Sequence, residues 1–140
     1  MAAPFRLTRR VLFHETDMAG VMHFSNFFRL MEEVEHAWWR SLGRSVHGGQ
    51  GADVVSWPRV AATCEFTAPI RFEDELELLL SVGDVGSKSI TVRVEFRLAG
   101  KRVAGGEMRA VCCRMEAGAF QALPIPAEIR AQLLEWKQAG

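Results

Sequence analysis

Residues 14–26 (HETDMAGVMHFSN) contain the side chains of this protein that are best suited to chemistry. The segment holds Asp17 immediately upstream of a stretch with helical spacing that begins near Ser25. The first turn of a helix offers backbone N–H groups without partners and about half a positive charge. Such a site can hold a developing oxyanion, and Gly20 lets a ligand approach the backbone. The segment therefore predicts an acyl-transfer site with a substrate carbonyl between Asp17 and the helix.

Two chemical routes are open to the Asp17 carboxylate. It can attack the carbonyl carbon and form an anhydride, or it can activate a water molecule. The spacing does not choose between these routes. A plain turn at residues 17–20 is an alternative interpretation that needs no chemistry.

The histidines of the segment support no further type of site. His14, Asp17 and His23 lack the spacing of a known metal-ligand set, so no metal is expected. A triad of Ser25, His23 and Asp17 is disfavoured because the G-x-S-x-G motif is absent. His23 is expected to be a hydrogen-bonded structural histidine.

One long helix is expected to follow the segment. Apolar residues recur at helical spacing between Ser25 and Leu42, and Gly43 stands where a C-cap glycine belongs. Ser25 or Asn26 is expected to cap the start of the helix. Its wide apolar arc must be covered on more than one side. The polar face, which would point to solvent or to a partner subunit, is formed by Glu32, Glu33 and Glu35.

Alternating apolar and polar residues predict five strands. The first covers residues 5–13, and the second, residues 60–70, would bury Val60, Cys64, Phe66 and Ile70 on one face. Residues 76–82, 90–98 and 103–115 follow, the last with a bulge or bend at Gly105–Gly106. Short turns at 84–87 and 99–101 predict an antiparallel meander after residue 58. Residues 43–53 are expected to form a loop, and residues 126–137 a C-terminal helix. The fold class is α+β.

Length and composition narrow the function classes. The 140 residues suit a single domain, residues 1–140, and 17 basic residues balance 17 acidic ones. Zero net charge gives no electrostatic footprint for nucleic acid. No apolar run is long enough for membrane insertion, and the N-terminus lacks a signal-peptide h-region. Three cysteines form no C-x-x-C pair and indicate reduced thiols in the cytoplasm.

The motif at residues 17–27, DMAGVMHFSNF, is followed by a helix with L-M-E-E at residues 30–33. It resembles the hotdog-fold acyl-CoA thioesterases, above all the 4-hydroxybenzoyl-CoA thioesterase family, which includes the Tol-Pal-associated thioesterases. Residues 64–76 (CEFTAPIRFEDEL) also match that family. The similarity covers about residues 5–114, with the elements in the same order.

This resemblance implies a hotdog fold, in which a five- or six-stranded antiparallel sheet wraps around one long central helix. It also implies homodimers with joined sheets, often paired into homotetramers, and active sites at the subunit interface. Asp17 falls on the family's catalytic carboxylate and the backbone N–H of Phe24 on its oxyanion donor. The substrate-binding residues that it implies are Gly20, His23, Ser25, Asn26, Phe27 and Met31, with Arg59 and Lys88 near the coenzyme A phosphates.

The chain departs from the family pattern at His23. Many members have Tyr or Trp there, and members that use a histidine often have it one residue later, where this chain has Phe24. His23 therefore inherits no catalytic role. Some other hotdog thioesterases place their carboxylate on the helix, which makes Glu32 or Glu33 the alternative to Asp17.

The expected function is hydrolysis of an acyl-CoA thioester to a free acid and coenzyme A, with no cofactor beyond the coenzyme A of the substrate. An enoyl-CoA hydratase or dehydratase is the first alternative, although its D-x-N-P-x-H pattern is missing. A non-catalytic acyl-thioester-binding protein is the second. The sequence leaves open the acyl group, acyl carrier protein instead of coenzyme A, and dimer against tetramer. The acyl pocket is expected between the helix and residues 43–57, beside Phe27, Phe28, Met31 and Trp57.

Overall fold

The computed structural model describes residues 3–48 and 54–138. Two helices and two antiparallel sheets make up this part of the chain. In chain order the elements are β1 (Phe5–Arg10), a 3-10 turn (Phe13–Glu15), α1 (Ser25–Ser41), β2 (His47–Gly48), β3 (Val55–Ser56), β4 (Arg59–Phe66), β5 (Glu75–Val85), β6 (Ser89–Leu98), β7 (Lys101–Val111), β8 (Cys113–Glu116), β9 (Ala119–Ala122) and α2 (Ala127–Glu135). The predicted α+β class is confirmed.

The larger sheet has the strand order β1-β5-β6-β7-β4, and every neighbouring pair is antiparallel. The predicted hairpins join β5 to β6 and β6 to β7, and the second turn has positive φ at Ala99 and Gly100. The prediction of a meander from residue 58 is wrong for β4, which pairs with β7 instead of β5. Both edges of β5 are occupied by β1 and β6, so β4 cannot pair with β5 and instead extends the sheet beyond β7.

Strand β4 lies at the edge of the sheet and is exposed along much of its length. The prediction that Val60 and Phe66 are buried is wrong, since 52% and 47% of their surfaces are exposed. A strand with one neighbour has only part of each face covered, so its alternating pattern does not mark a buried face. Ile70 is buried, but it lies beyond the end of the strand.

A second sheet has the order β2-β3-β8-β9. The expected loop at residues 43–53 contains the short strand β2, and its residues 49–53 lie outside the described part of the chain. The expected last strand is divided at Cys112 into β7 and β8. No register shift marks Gly105–Gly106 in either pairing of β7. Gly106 instead leaves room for Met31, because a Cβ there would lie 2.4 Å from the Met31 Cε.

Helix α1 has a moderate length of 17 residues and carries the largest share of the core against the sheet. Its buried residues are Phe27, Leu30, Met31, Val34, Glu35, Trp38 and Trp39. The predicted C-cap is confirmed: Gly43 has φ +75°, and Arg44 N–H donates to the Trp39 carbonyl at 3.0 Å. The predicted C-terminal helix is confirmed as α2, which buries Ile129 and Leu133.

The three cysteines are unpaired, and each is buried or half-buried. Burial raises the pKa of Cys64 and of Cys112 to about 11. Both thiols are therefore protonated at neutral pH and are poor nucleophiles. Neither α1 nor α2 combines the length and the apolarity that crossing a bilayer requires.

Candidate active site

The loop that carries Asp17 is a small hairpin that is hydrogen-bonded to the segment between β4 and β5. Asp17 N–H donates to the Val21 carbonyl at 2.9 Å, and Thr16 and Met22 form an antiparallel bridge. Met22 N–H also donates to the Ile70 carbonyl at 2.6 Å. Gly20 closes the turn at φ +81°. These bonds present residues 17–20 as a defined tip beside the start of α1.

A buried glutamate at the base of the hairpin anchors it. Glu15 is 5% exposed and receives two hydrogen bonds from the Arg9 guanidinium, at 2.9 and 2.5 Å. Leu12 N–H adds a third at 2.7 Å. Burial by itself raises the pKa of Glu15, but the Arg9 and Leu12 hydrogen bonds outweigh it and hold the pKa below 4.5. Sequence reasoning missed Glu15, because its partner Arg9 belongs to another element. Arg9 also binds Glu33, one of the two alternative carboxylates.

The start of α1 is held by side chains other than the predicted caps. Phe24 occupies the N-cap position and makes no side-chain cap, so the expectation that Ser25 or Asn26 caps the helix is wrong. The His23 Nδ1 lies 2.8 Å from the Ser25 Oγ and accepts the Ser25 N–H at 3.2 Å. Asn26 instead turns its amide outward from the helix and donates to the Glu15 carbonyl at 2.8 Å. The helix terminus and the Asp17 hairpin are thereby fixed to each other.

Phe24 has a backbone N–H that is available as a donor at the start of α1. Its backbone N–H has no hydrogen-bond acceptor among residues 3–48 and 54–138. Its ring is 63% exposed and stacks on the His23 ring at a centroid distance of 4.6 Å. An N–H at the positive end of a 17-residue helix is suited to receive a carbonyl oxygen that gains negative charge.

Asp17 is exposed, and its Oδ1 accepts the Ala19 N–H at 2.9 Å. This bond is that of an Asx turn, so the plain-turn interpretation describes the local geometry correctly. It leaves the second carboxylate oxygen open to a ligand or to solvent. In the described structure His23 bonds to Ser25 and makes no bond to Asp17, which gives the disfavoured triad no support.

Two cavities lie between α1 and the edge strand β4, with no lining residue in common. The first, about 250 Å³, is apolar and includes Phe24, Phe27 and Phe66. A second cavity of about 210 Å³ follows along the helix, lined by Phe28, Arg29, Glu32, Arg59, Ala62 and Met108. We call these two cavities together the α1–β4 groove.

Two residues that were expected at the acyl pocket, Met31 and Trp57, do not line this groove. A separate cavity of about 420 Å³ does lie at the expected segment, lined by Gly43, Arg44, Ser45, Gly48, Val55, Trp57 and Ile129. Met31 is fully buried against the Gly106 backbone. Trp57 is buried and stacks on Trp39 at 5.2 Å. Phe27 and Phe28 do line the groove. The contribution of residues 49–53 to the predicted pocket falls outside the described residues.

Arg59 crosses from β4 to α1 and binds a buried carboxylate. Its Nη2 donates to the Glu35 Oε1, and its Nε donates to the Met108 Sδ at 3.0 Å. Trp39 Nε1 donates to the Glu35 Oε2 at 3.2 Å. Glu35 is 1% exposed, so its expected place on a polar face is wrong. Burial raises the pKa of Glu35, although Arg59 and Trp39 act in the opposite direction.

The two residues predicted near the coenzyme A phosphates are not brought together. Arg59 is occupied by Glu35 as described, with Glu32 3.8 Å from its Nη1. Lys88 is exposed in the turn between β5 and β6, where its carbonyl accepts the Cys112 N–H at 2.6 Å. The structure gives Lys88 no contact with Asp17, Phe24 or the groove. Its role in substrate binding stays a prediction.

Comparison with known proteins places this geometry in a family context. The model of the thioesterase-like superfamily matches residues 11–133. A 1,4-dihydroxy-2-naphthoyl-CoA hydrolase of Synechococcus sp. (strain CC9311) is 32% identical over 136 residues, which cover 89% of this chain and 86% of that protein. A putative esterase of Aquifex aeolicus is 36% identical over 90 residues, covering 63% and 68% of the two chains. A solved gentisyl-coenzyme A thioesterase superimposes with a TM-score of 0.77 at 27% identity, covering 89% of this chain and 98% of that one.

Proposed function

Since this chain belongs to the thioesterase-like superfamily, we propose that it hydrolyses acyl-CoA thioesters to a free acid and coenzyme A. The observation that carries the proposal is the Phe24 N–H, which lacks an acceptor in the described structure and lies at the mouth of the α1–β4 groove. Named relatives act on coenzyme A thioesters, which agrees with this use of the site.

The proposed reaction uses Asp17 and Phe24 on opposite sides of the thioester carbonyl. The Phe24 N–H donates to the carbonyl oxygen, and the bond strengthens as that oxygen becomes an oxyanion. One such donor contributes a factor of about 10² to 10³ in kcat. Asp17 either adds to the carbonyl carbon, expelling the coenzyme A thiolate and leaving an anhydride for water to cleave, or takes a proton from the attacking water. Both routes end in a carboxylic acid and a thiol and use no group outside the chain and its substrate.

An aromatic acyl group with hydroxyl substituents is the proposed substrate class. Relatives of this chain are named for the 1,4-dihydroxy-2-naphthoyl and gentisyl groups. The α1–β4 groove begins with the rings of Phe24, Phe27 and Phe66, which suit stacking on a planar acyl group. We keep coenzyme A as the carrier, because that is the carrier in both names.

The proposed active enzyme is a homo-oligomer whose subunits meet at β4. Among the described strands, β4 has a neighbour on one edge only and exposes Val60 and Phe66, so a second copy can extend the sheet. Asp17 and one side of the groove are open to solvent in the single chain. A partner subunit at β4 would cover them and complete the site. Pairing of dimers into a tetramer, a single domain over residues 1–140 and a reducing, cytoplasmic setting remain part of the proposal.

A panel of coenzyme A thioesters tests the function. Release of free thiol is measured for hydroxybenzoyl, dihydroxynaphthoyl, benzoyl, octanoyl and crotonyl thioesters. We expect thiol release, fastest with the hydroxyaromatic members. Loss of the crotonyl absorbance without thiol release would indicate the hydratase alternative. Binding of the whole panel without any turnover would indicate the non-catalytic alternative.

A further inference from the structure

His23 makes three of the hydrogen bonds that surround the Phe24 N–H. Its own N–H donates to the Glu15 carbonyl at 2.9 Å, and its carbonyl accepts the Asn26 N–H at 2.9 Å. Its ring Nδ1 accepts the Ser25 N–H at 3.2 Å. The N–H groups immediately before and after that of Phe24 are therefore both bonded. Within the described structure, the Phe24 N–H is the one of these four backbone donors that has no acceptor.

The bond to the His23 ring decides whether Ser25 competes with Phe24 as a donor. The first turn of a helix presents N–H groups that find no partner within the helix. An unbonded Ser25 N–H would offer a carbonyl oxygen a second donor one residue away from Phe24. The His23 nitrogen takes the role that a side-chain oxygen usually has at the start of a helix. It thereby removes Ser25 from the set of available donors.

The same bond fixes the proton on the His23 ring. A backbone N–H can only donate, so the Nδ1 that accepts it carries no proton. In the neutral imidazole the proton then lies on Nε2. The Ser25 Oγ lies 2.8 Å from the same Nδ1 and can donate to it as well. The face of the ring stacks on the Phe24 ring at a centroid distance of 4.6 Å, so the ring is held at one edge and at one face.

We propose that His23 is a positioning residue for the hydrolysis: its neutral ring occupies the Ser25 N–H and thereby directs the substrate carbonyl to the Phe24 N–H. This inference rests on the proposed function and gives a role to a side chain that the proposed reaction does not use. His23 neither touches the thioester nor transfers a proton. A carbonyl shared with the Ser25 N–H would be displaced from Asp17, and a displacement of about 1 Å can lower a rate by a factor of about 10².

Two substitutions separate the ring nitrogen of His23 from the ring itself. His23→Asn keeps an acceptor, with Oδ1 in place of Nδ1, and loses the ring. His23→Phe keeps a ring that can stack on Phe24 and loses the acceptor. The backbone bonds of this residue are available in both variants. The control His36→Phe makes the same exchange on the same helix, about 18 Å along the axis from Phe24.

Amide NMR spectra locate a bound carbonyl without turnover. The probe is the phenacyl thioether of coenzyme A, in which a methylene between sulfur and carbonyl prevents hydrolysis. In the wild type, in His23→Asn and in the control, we expect the probe to shift the Phe24 amide proton to lower field and to leave that of Ser25 in place. In His23→Phe we expect the Ser25 amide proton to shift with the probe and to exchange faster with solvent.

Thiol release gives the second measurement. We expect His23→Phe to lower kcat by a factor of about 10 to 10², because the carbonyl is no longer held at one donor. KM should change by less than about twofold, since the rest of the substrate is bound as before. His23→Asn should keep kcat within about threefold of the wild type, because one acceptor replaces another. A purely structural histidine would not be replaced selectively by Asn.

Each outcome decides the role of His23. A neutral wild-type ring with its proton on Nδ1, measured from the ring ¹⁵N shifts, would overturn the proposal even if His23→Phe fails to fold. A Ser25 amide that ignores the probe in a folded His23→Phe would overturn it, as would a lower kcat in His23→Asn than in His23→Phe. The expected amide shifts without thiol release from any thioester would contradict the proposed hydrolysis and leave His23 directing a carbonyl to Phe24.

Discussion

Two buried glutamates show how burial and pairing compete within one molecule. Both lie against an arginine, yet the pKa of Glu15 is held below its usual range and that of Glu35 above it. Glu15 receives two bonds from Arg9 and one from a backbone N–H, which together outweigh its desolvation. Glu35 lies on the buried face of α1, where burial outweighs Arg59 and Trp39. Glu15 holds the base of the Asp17 hairpin, and Glu35 holds Arg59 against α1.

Glu15→Gln is expected to destabilise the protein by about 3 kcal/mol at neutral pH, because it leaves Arg9 without its buried partner. The folded-state pKa of Glu15 is lowered, so the carboxylate contributes stability above its ordinary value of 4.5, and this contribution is lost as the pH falls through the folded-state pKa. Urea unfolding at several pH values measures the difference. It should be largest above pH 4.5 and shrink below it, whereas the exposed-site control Glu116→Gln stays near wild type. A difference that grows toward acid pH would contradict this assignment.

At the scale of single residues, the sequence identified the loop but not what supports it. Asp17, Gly20 and Phe24 stand out because a local motif contains them. Glu15 and Glu35 do not stand out, since their partners Arg9 and Arg59 lie on β1 and β4, outside the elements that contain the glutamates. A helical wheel therefore assigned Glu35 to a polar face.

At the scale of elements, the junction of the hairpin and α1 positions the candidate donors. The Asn26 amide joins them through the Glu15 carbonyl, and His23 binds the first N–H of the helix. A capping residue usually satisfies its own helix. Here Asn26 binds the loop instead, and the Phe24 N–H has no acceptor among the residues that the structure describes.

Asn26→Ala tests whether this junction matters for turnover. We expect a loss of about 1 kcal/mol of stability for the single hydrogen bond. Because the hairpin then moves relative to α1, kcat should fall even at a temperature where the variant is fully folded. Thiol release and urea unfolding are compared with Gln121→Ala, an exposed amide on β9. Wild-type turnover in Asn26→Ala would show that the junction has no part in positioning.

The helices and strands were largely predictable from the sequence, and the pairing of the strands was not. The apolar spacing of α1 and the positive φ at Gly43 are local properties, so they could be inferred from neighbouring residues. The pairing of β4 with β7 depends on which strand edges remain free after the other strands have paired. Alternation along β4 therefore predicted a strand correctly but its buried face wrongly, at Val60 and Phe66.

At the scale of the whole molecule, a single chain leaves the site open. Asp17 is exposed, and the α1–β4 groove lies beside the edge strand β4. Order of elements and one motif were enough to predict a hotdog-like α+β fold, and the thioesterase-like superfamily is confirmed. Subunits meet through surfaces that form only after folding, so the oligomeric state was predicted from the family resemblance alone.

Assembly is tested by sedimentation of the wild-type protein and of Val60→Lys, which places a charge at the exposed edge strand. We expect the wild type to sediment with at least twice the monomer mass and the variant to dissociate, with thiol release falling in parallel. Lys at an exposed position of an edge strand opposes pairing with a second copy. The control Phe120→Lys changes an exposed ring on β9, away from this edge. A monomeric wild-type protein with full activity would contradict the proposed interface.

The most direct test of the proposed mechanism is the rate of thiol release by Asp17→Asn with the best thioester of the panel, compared with Asp84→Asn, an exposed carboxylate on β5. Asp17 is exposed and is bonded only through Oδ1 within the described structure, so both variants should fold like the wild type. We predict that Asp17→Asn lowers kcat by a factor of about 10² to 10⁴, while Asp84→Asn keeps the wild-type rate. Full activity of Asp17→Asn would contradict the mechanism.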